Sequence, residues 1–419
     1  MKHLLCFWAI ILLSTGLAAQ SQVFQNGSKS DQIRTLTVYP QGDWATLPII
    51  NMGTDNNVEI AFDELSHDFK RYSYRIIHCN ADWTRSDINE LEYLDGFSEN
   101  EIENYEQSVS AFTLYTHYTF SIPNEKVKLK LSGNYAVEVF DREGNGETLL
   151  TACFMVLENK TGIDAVVTAT TDIDYKQNHQ QLSFDIKPYG FSNLQPLTEL
   201  KVLVQQNHRS DNEVKNITPM TVTPNVIRYE HNKALIFEAG NEYRRFEITT
   251  YKYAGMGVNK MSFFEPFYNA ELLSSETRLK GYTYDKDQNG RFLINSQEAI
   301  VGVSGSDYFL VHFSLPMEEP AVDGGFFLNG DFVNNRFDAN SKLTYSFERK
   351  AYEKTLFLKQ GNYNFQYLYR PTRGGIATPQ RTEGSYWETE NEYQIFVYYR
   401  PVGERYDRLI GFRQIGTAF

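Results

Sequence analysis

The residues with the sharpest chemical spacing are Asp285, Asp287 and Asn289, followed by Gly290, in the run Asp-Lys-Asp-Gln-Asn-Gly. Alternating oxygen donors closed by a glycine suit a hard cation, and calcium takes carboxylate and amide oxygens in this way. The twelfth position of such a loop is Ser296 rather than a bidentate glutamate. No helical pattern flanks the run, and the favoured alternative is an Asn289-Gly290 hairpin between Gly281–Tyr284 and Arg291–Ile294. Carboxylates at alternate positions, such as Glu388 with Glu390, have the types for acid-base hydrolysis. In so acidic a chain such pairs arise by composition, and on a strand they would share one wet face. The histidines after the leader (His67, His78, His117, His179, His208, His231 and His312) stand singly. Gly302-Val303-Ser304-Gly305 has the wrong spacing for a nucleophile elbow, and no zinc-protease helix or phosphate loop occurs. We therefore expect no catalytic residues and no cofactor, with Asp285, Asp287 and Asn289 as the metal candidate.

Those residues sit in an exported chain. Lys2, the apolar run Leu4–Leu13 and the small residues Gly16, Ala18 and Ala19 have the layout of a cleaved signal peptide over residues 1–19, too short to span a bilayer. The formal charge of −13 argues against nucleic acid, whose phosphates need clustered Lys and Arg. Cys79 and Cys153 remain after the leader, and an oxidising compartment permits them to pair. The alternative is two separate buried thiols. Trp44, Trp83 and Trp387 read as core fillers or as interface anchors.

The elements that must position these residues are strands. Aromatics form 15% of the chain, and β-branched bursts recur between Gly, Asn, Asp and Pro, without the long amphipathic helices of an α/β fold. Val58–Phe62, Arg71–Cys79 and Leu114–Ile122 alternate, separated by an acidic, irregular stretch from Ser86 to Ser110. Gly144-Asn145-Gly146 joins Tyr135–Phe140 to Thr148–Leu157 as a hairpin. Tyr393, Ile395, Val397 and Tyr399 alternate with Gln394, Phe396 and Tyr398, which predicts a strand covered on both faces. The expected fold is all-β, with tandem immunoglobulin-like sandwiches over 20–160, 161–295 and 296–419.

Two blocks carry a family resemblance: Glu383 to Gly411 (EGSYWETENEYQIFVYYRPVGERYDRLIG), and Tyr74 to Trp83 (YRIIHCNADW) with the acidic EYLDGF from Glu92 to Phe97. They resemble the Plug proteins of the type IX secretion system of Bacteroidetes. The resemblance implies a non-enzymatic periplasmic protein, peripherally associated with the outer membrane. It would bind the periplasmic end of the giant outer-membrane β-barrel translocon and seal its pore, without inserting into the membrane. A second resemblance, in Gly324–Phe332 (GGFFLNGDF) and Lys354–Tyr369 (KTLFLKQGNYNFQYLY), is to early-set immunoglobulin-like modules that include glycogen-binding domains. It implies the alternative of a periplasmic carbohydrate-binding protein, although Val333-Asn334-Asn335 stands where a stacking aromatic is expected. An integral barrel would need regular lipid-facing alternation, and the terminal strand would place Arg413 in register with Ile415, Thr417 and Phe419.

Overall fold

The computed structural model describes residues 22–191, 194–299 and 302–417; the expected signal segment lies outside them. The described chain is built from strands in several open sheets, with a few single-turn helices. This is the expected all-β fold, and tandem sandwiches account for it.

The first core lies between two sheets. One joins Tyr72–Cys79, Gly133–Asp141 and Thr148–Leu157, and the other joins Ile33–Pro40, Val58–Glu64 and Thr116–Ile122. Apolar and aromatic residues at alternate positions, among them Ile60, Phe62, Tyr74, Ile76, Tyr118, Tyr135 and Phe154, point inward and fill it. The predicted hairpin is present: Gly133–Asp141 pairs antiparallel with Thr148–Leu157, with a bulge between Val139 and Phe140. The acidic stretch is more ordered than its composition suggests. Asn89 and Glu92 form a reciprocal capping box around the helix Glu90–Tyr93, and Tyr93 buries its ring with its hydroxyl on the Ile76 carbonyl.

The second core is completed by the chain's last strands. Thr161–Thr168, His179–Pro188, Thr221–Val222, Ile227–Tyr229 and Ile236–Glu238 form one sheet. Facing it, Leu200–Gln206 pairs with Glu392–Tyr399, which pairs with Arg408–Gly416. The two-faced prediction holds here. Tyr393, Ile395 and Val397 enter the second core, while Phe396 and Tyr398 pack with Ala81, Met155 and Leu157 of the first region.

The third core lies within this arrangement. Val258–Phe264, Phe267–Leu272, Tyr308–Pro316, Ala351–Lys359 and Thr344–Ser346 form one layer. Arg244–Glu247, Phe292–Ile294 and Gly324–Asn329 pair with the long strand Gly361–Pro371 in the other. Strand pairing therefore crosses residue 295, where the sequence pattern places a boundary. Arg244–Glu247 and Phe292–Ile294 join later strands, and the terminal pair returns to earlier ones. Apolar periodicity marks a strand but does not name its partner, and partners here lie up to nearly two hundred residues apart.

Candidate functional site

The cores are held together by buried charge at their seams. Asp63, on the first region's Val58–Glu64, and Lys359, at the end of Ala351–Lys359, are both fully buried, with Lys359 Nζ 2.6 Å from Asp63 Oδ2. The Tyr308 hydroxyl donates to the same oxygen at 2.6 Å, and His117 Nδ1 lies 2.6 Å from Asp63 Oδ1. Lys359 also stands 4.0 Å over the Tyr115 ring. Burial alone would raise the Asp63 pKa, but the Lys359 charge and His117 outweigh it and hold the carboxyl below its ordinary value. Burial and the Asp63 charge push the Tyr308 phenol well up, so it stays a donor.

Two further seams follow the same logic. Asp407, in the turn before Arg408–Gly416, accepts from the Ala81 backbone N–H and from Lys201, each at 2.9 Å, and pairs with Arg400 at 2.8 Å. Glu158 is gripped by Nε and Nη2 of Arg408 and by the Ser132 hydroxyl, and these donors overcome burial to bring its pKa down to about 2. Tyr398 donates to Asn134 at 2.8 Å. Between the second and third cores, Arg291 pairs with Glu392 at 2.8 Å, and buried Glu383 takes Arg244 and Arg278 together. Every carboxylate named here has a cation and a hydrogen-bond donor, which is what a buried charge requires. The arrangement fixes relative position and has no unpaired nucleophile.

The sequence candidates for chemistry are absorbed by the fold. Asp285 pairs with Arg245, Asp287 accepts from the backbone N–H groups of Tyr243 and Asn289, and Asn289 occupies a left-handed turn before Gly290. Burial, against those backbone donors, pushes Asp287 up to about 7. The run is a turn, but not the expected hairpin: Gly281–Tyr284 is not a strand, and Phe292–Ile294 pairs with Gly361–Pro371 instead. No cluster of three His, Cys, Asp or Glu side chains suited to a metal occurs among the described residues.

Cys79 and Cys153 are free buried thiols, so the pairing entertained above is not formed. The reason is register. Cys79 lies opposite Asn134 and Cys153 opposite Ala136, on the two outer neighbours of one central strand. Two strand spacings already separate the Cα atoms by about 9.6 Å, beyond the roughly 7 Å a disulfide spans. His78 is buried between Ser86 and the Ser132 carbonyl, and burial lowers its pKa to about 4. The segment resembling a glycogen-binding module spends its aromatics inside: Phe326 is in the third core, and Phe332 packs on Phe313 and Tyr363.

Two surface features remain. Exposed Phe112 meets Phe263 at 5.0 Å, beside Tyr268 and Tyr251, next to exposed Phe264 at the end of the strand pair Val258–Phe264 and Phe267–Leu272. Where the three regions meet, a cleft of about 840 Å³ opens, with Trp44, Trp83, Arg291 and Arg336 in its lining. Neither feature has a motif by which the sequence could reveal it, because each is assembled from segments far apart in the chain.

Residues 33–158 match the model for the first domain of type 9 secretion system plug proteins. The chain carries the first domain of that plug protein family. Among solved structures it is similar to a hypothetical protein from Parabacteroides merdae, at 44% identity and a TM-score of 0.93, over 94% of this chain and 100% of that one. Nothing among curated proteins matches it. That domain links the protein to type IX secretion, through a family that is a structural component of that system and not a known enzyme family. No described helix is long and apolar enough to cross a membrane.

Proposed function

We propose that the protein is a non-enzymatic periplasmic plug that binds the periplasmic end of the type IX outer-membrane translocon and seals its pore. The observation that carries this reading is the set of buried charge networks joining all three cores, centred on Asp63–Lys359, Glu158–Arg408 and Glu392–Arg291. A stopper must keep its shape under osmotic and mechanical load, and interlocked cores resist the relative motion that flexible linkers allow. In this reading the three units run over 27–158, 161–238 with 392–416, and 244–371. The exposed aromatics at the end of the strand pair Val258–Phe264 and Phe267–Leu272, Phe112 with Phe263 on one face and Phe264 on the other, are what the partner covers.

The test is purification of the native translocon from cells carrying the wild-type protein or the Phe263→Ser/Phe264→Ser variant. Wild-type protein should be recovered with the translocon in a stoichiometric fraction of particles, and the variant in a reduced fraction with unchanged folding. Cells lacking the protein should admit large antibiotics that the intact envelope excludes. Recovery of the wild-type protein only as a free species, with no change in envelope leakage on deletion, would refute the proposal.

A further inference from the structure

The cleft's lining follows two different periodicities. From Leu200–Gln206 and Glu392–Tyr399 it takes alternate residues, Leu203 with Gln205 and Phe396 with Tyr398, and from Thr148–Leu157 it takes Cys153 with Met155. Alternate residues of a strand share one face, so sheet faces form the floor. From Ile33–Pro40, by contrast, it takes five successive residues, Thr35 to Tyr39, and from Phe292–Ile294 all three. Thr35 and Leu36 lie in a bulge, but over Thr37–Tyr39 and Phe292–Ile294 successive residues point to opposite faces, so what these strands turn toward the cleft is their edge. Both are edge strands in their sheets: Ile33–Pro40 is paired only with Val58–Glu64, and Phe292–Ile294 only with Gly361–Pro371. All their cleft-lining residues are partly exposed.

We infer that this cleft is a binding site for an extended polypeptide segment of another protein, held by strand addition to the open edge of Thr37–Tyr39. Unpaired backbone N–H and C=O groups in series are complementary to another main chain, and a lipid or a sugar offers no matching series. The regular edge runs from Thr37 to Tyr39, past the register break after Arg34 and the left-handed Thr35, and is about 10 Å long at 3.4 Å per residue, enough for about three residues, before Pro40 removes the next donor. The cleft volume of about 840 Å³ is within the range of ligand-sized sites. Leu203 and Phe396 on the floor, with Trp44 and Trp83 elsewhere in the lining, supply apolar surface for side chains on alternate positions of the guest.

The described chain has no free segment to fill this role itself. Its N-terminal residues form part of the wall: the Phe24 N–H donates to the Trp83 carbonyl, and Asn26 accepts from the Cys153 N–H. Its other described end is pinned by the Thr417 N–H on the Asn391 carbonyl. The inference does not depend on translocon docking, which the proposed function assigns to the aromatic surface on a different part of the molecule.

The experiment uses the full chain and a blocked hexapeptide of alternating valine and threonine, one threonine replaced by lysine for solubility. Binding is read from the emission of Trp44 and Trp83, with Trp44→Phe/Trp83→Phe as the signal control. We expect a saturable change for the peptide and at least about a ten-fold loss of affinity when alternate amides are N-methylated, because methylation removes ladder hydrogen bonds and leaves the side chains intact. Gln205→Trp, which fills the floor, should abolish binding. The N-methylated peptide tests the same point on the wild-type protein should that variant fold poorly. The inference is overturned by no saturable change up to millimolar peptide, by equal affinity for the methylated peptide, or by sodium laurate giving the saturable signal where the peptide does not. The translocon-purification result can go either way without touching these outcomes.

Discussion

Replacing Lys359 with methionine tests whether buried charge joins the first and third cores. The change keeps most of the side-chain volume and removes the ammonium that lies 2.6 Å from Asp63. Asp63 is then an ionised group in a fully buried position, with Tyr308 and His117 as its remaining partners. Breaking one half of a buried pair costs about 3–5 kcal/mol. Because two donors persist, we expect the lower end, about 3 kcal/mol. Asp63→Asn in the Lys359→Met background removes the stranded charge and should recover most of the loss. The measurement is urea unfolding followed by tryptophan emission, with hydrogen exchange at Val58–Glu64 and Ala351–Lys359 to place the loosening at this seam. The sign with pH is fixed by the depressed Asp63 pKa. Its contribution is complete above the unfolded carboxylate value near 4 and is lost as pH falls through the folded value, so the gap between wild type and Lys359→Met must shrink in acid. A single variant within about 1 kcal/mol of wild type, or a double variant no better than the single, would refute the reasoning.

Other outcomes follow from the same coordinates. His78 titrates near 4 when folded and near 6.5 when unfolded, so the unfolded chain binds the proton first on acidification; stability should fall by about 3 kcal/mol between pH 6.5 and 4, and His78→Asn should flatten that part of the urea-midpoint profile. Burial raises the Cys79 thiol to about 12 and Cys153 well above its usual value, so a thiol reagent should label neither in the folded protein and both after denaturation, with or without prior reduction. Gly411→Ala would set a methyl group onto the Thr161 hydroxyl inside the second core, and overpacking there should cost about 1–3 kcal/mol by urea unfolding.

Local features of the fold were legible in the sequence, and partnerships were not. The hairpin around Gly144-Asn145-Gly146 could be read because its two strands are neighbours in sequence. The two-faced strand at Tyr393–Tyr399 could be read because Phe396 and Tyr398 are as bulky as the residues they alternate with. Its pairing with Leu200–Gln206 left no local trace, since a period of two is the same whichever strand lies alongside. Cysteine count raised a disulfide that one intervening strand forbids. The Asp285–Gly290 run has the composition of a cation loop, but Arg245 and two backbone N–H groups already occupy its carboxylates. The helix at Glu90–Tyr93 had a usable signal, the Asn89-to-Glu92 capping pair, masked by the surrounding acidity.

The return of Glu392–Tyr399 and Arg408–Gly416 to Leu200–Gln206 imposes an order on biogenesis. A chain that emerges N-terminus first can close its first sandwich as soon as Leu157 is out, but residues 161–238 must wait, half a core exposed, until the final two dozen residues arrive. Loss of a short tail would therefore unmake the centre of the molecule rather than trim its end, and the arrival of the last two strands becomes the event that commits the whole body to its shape.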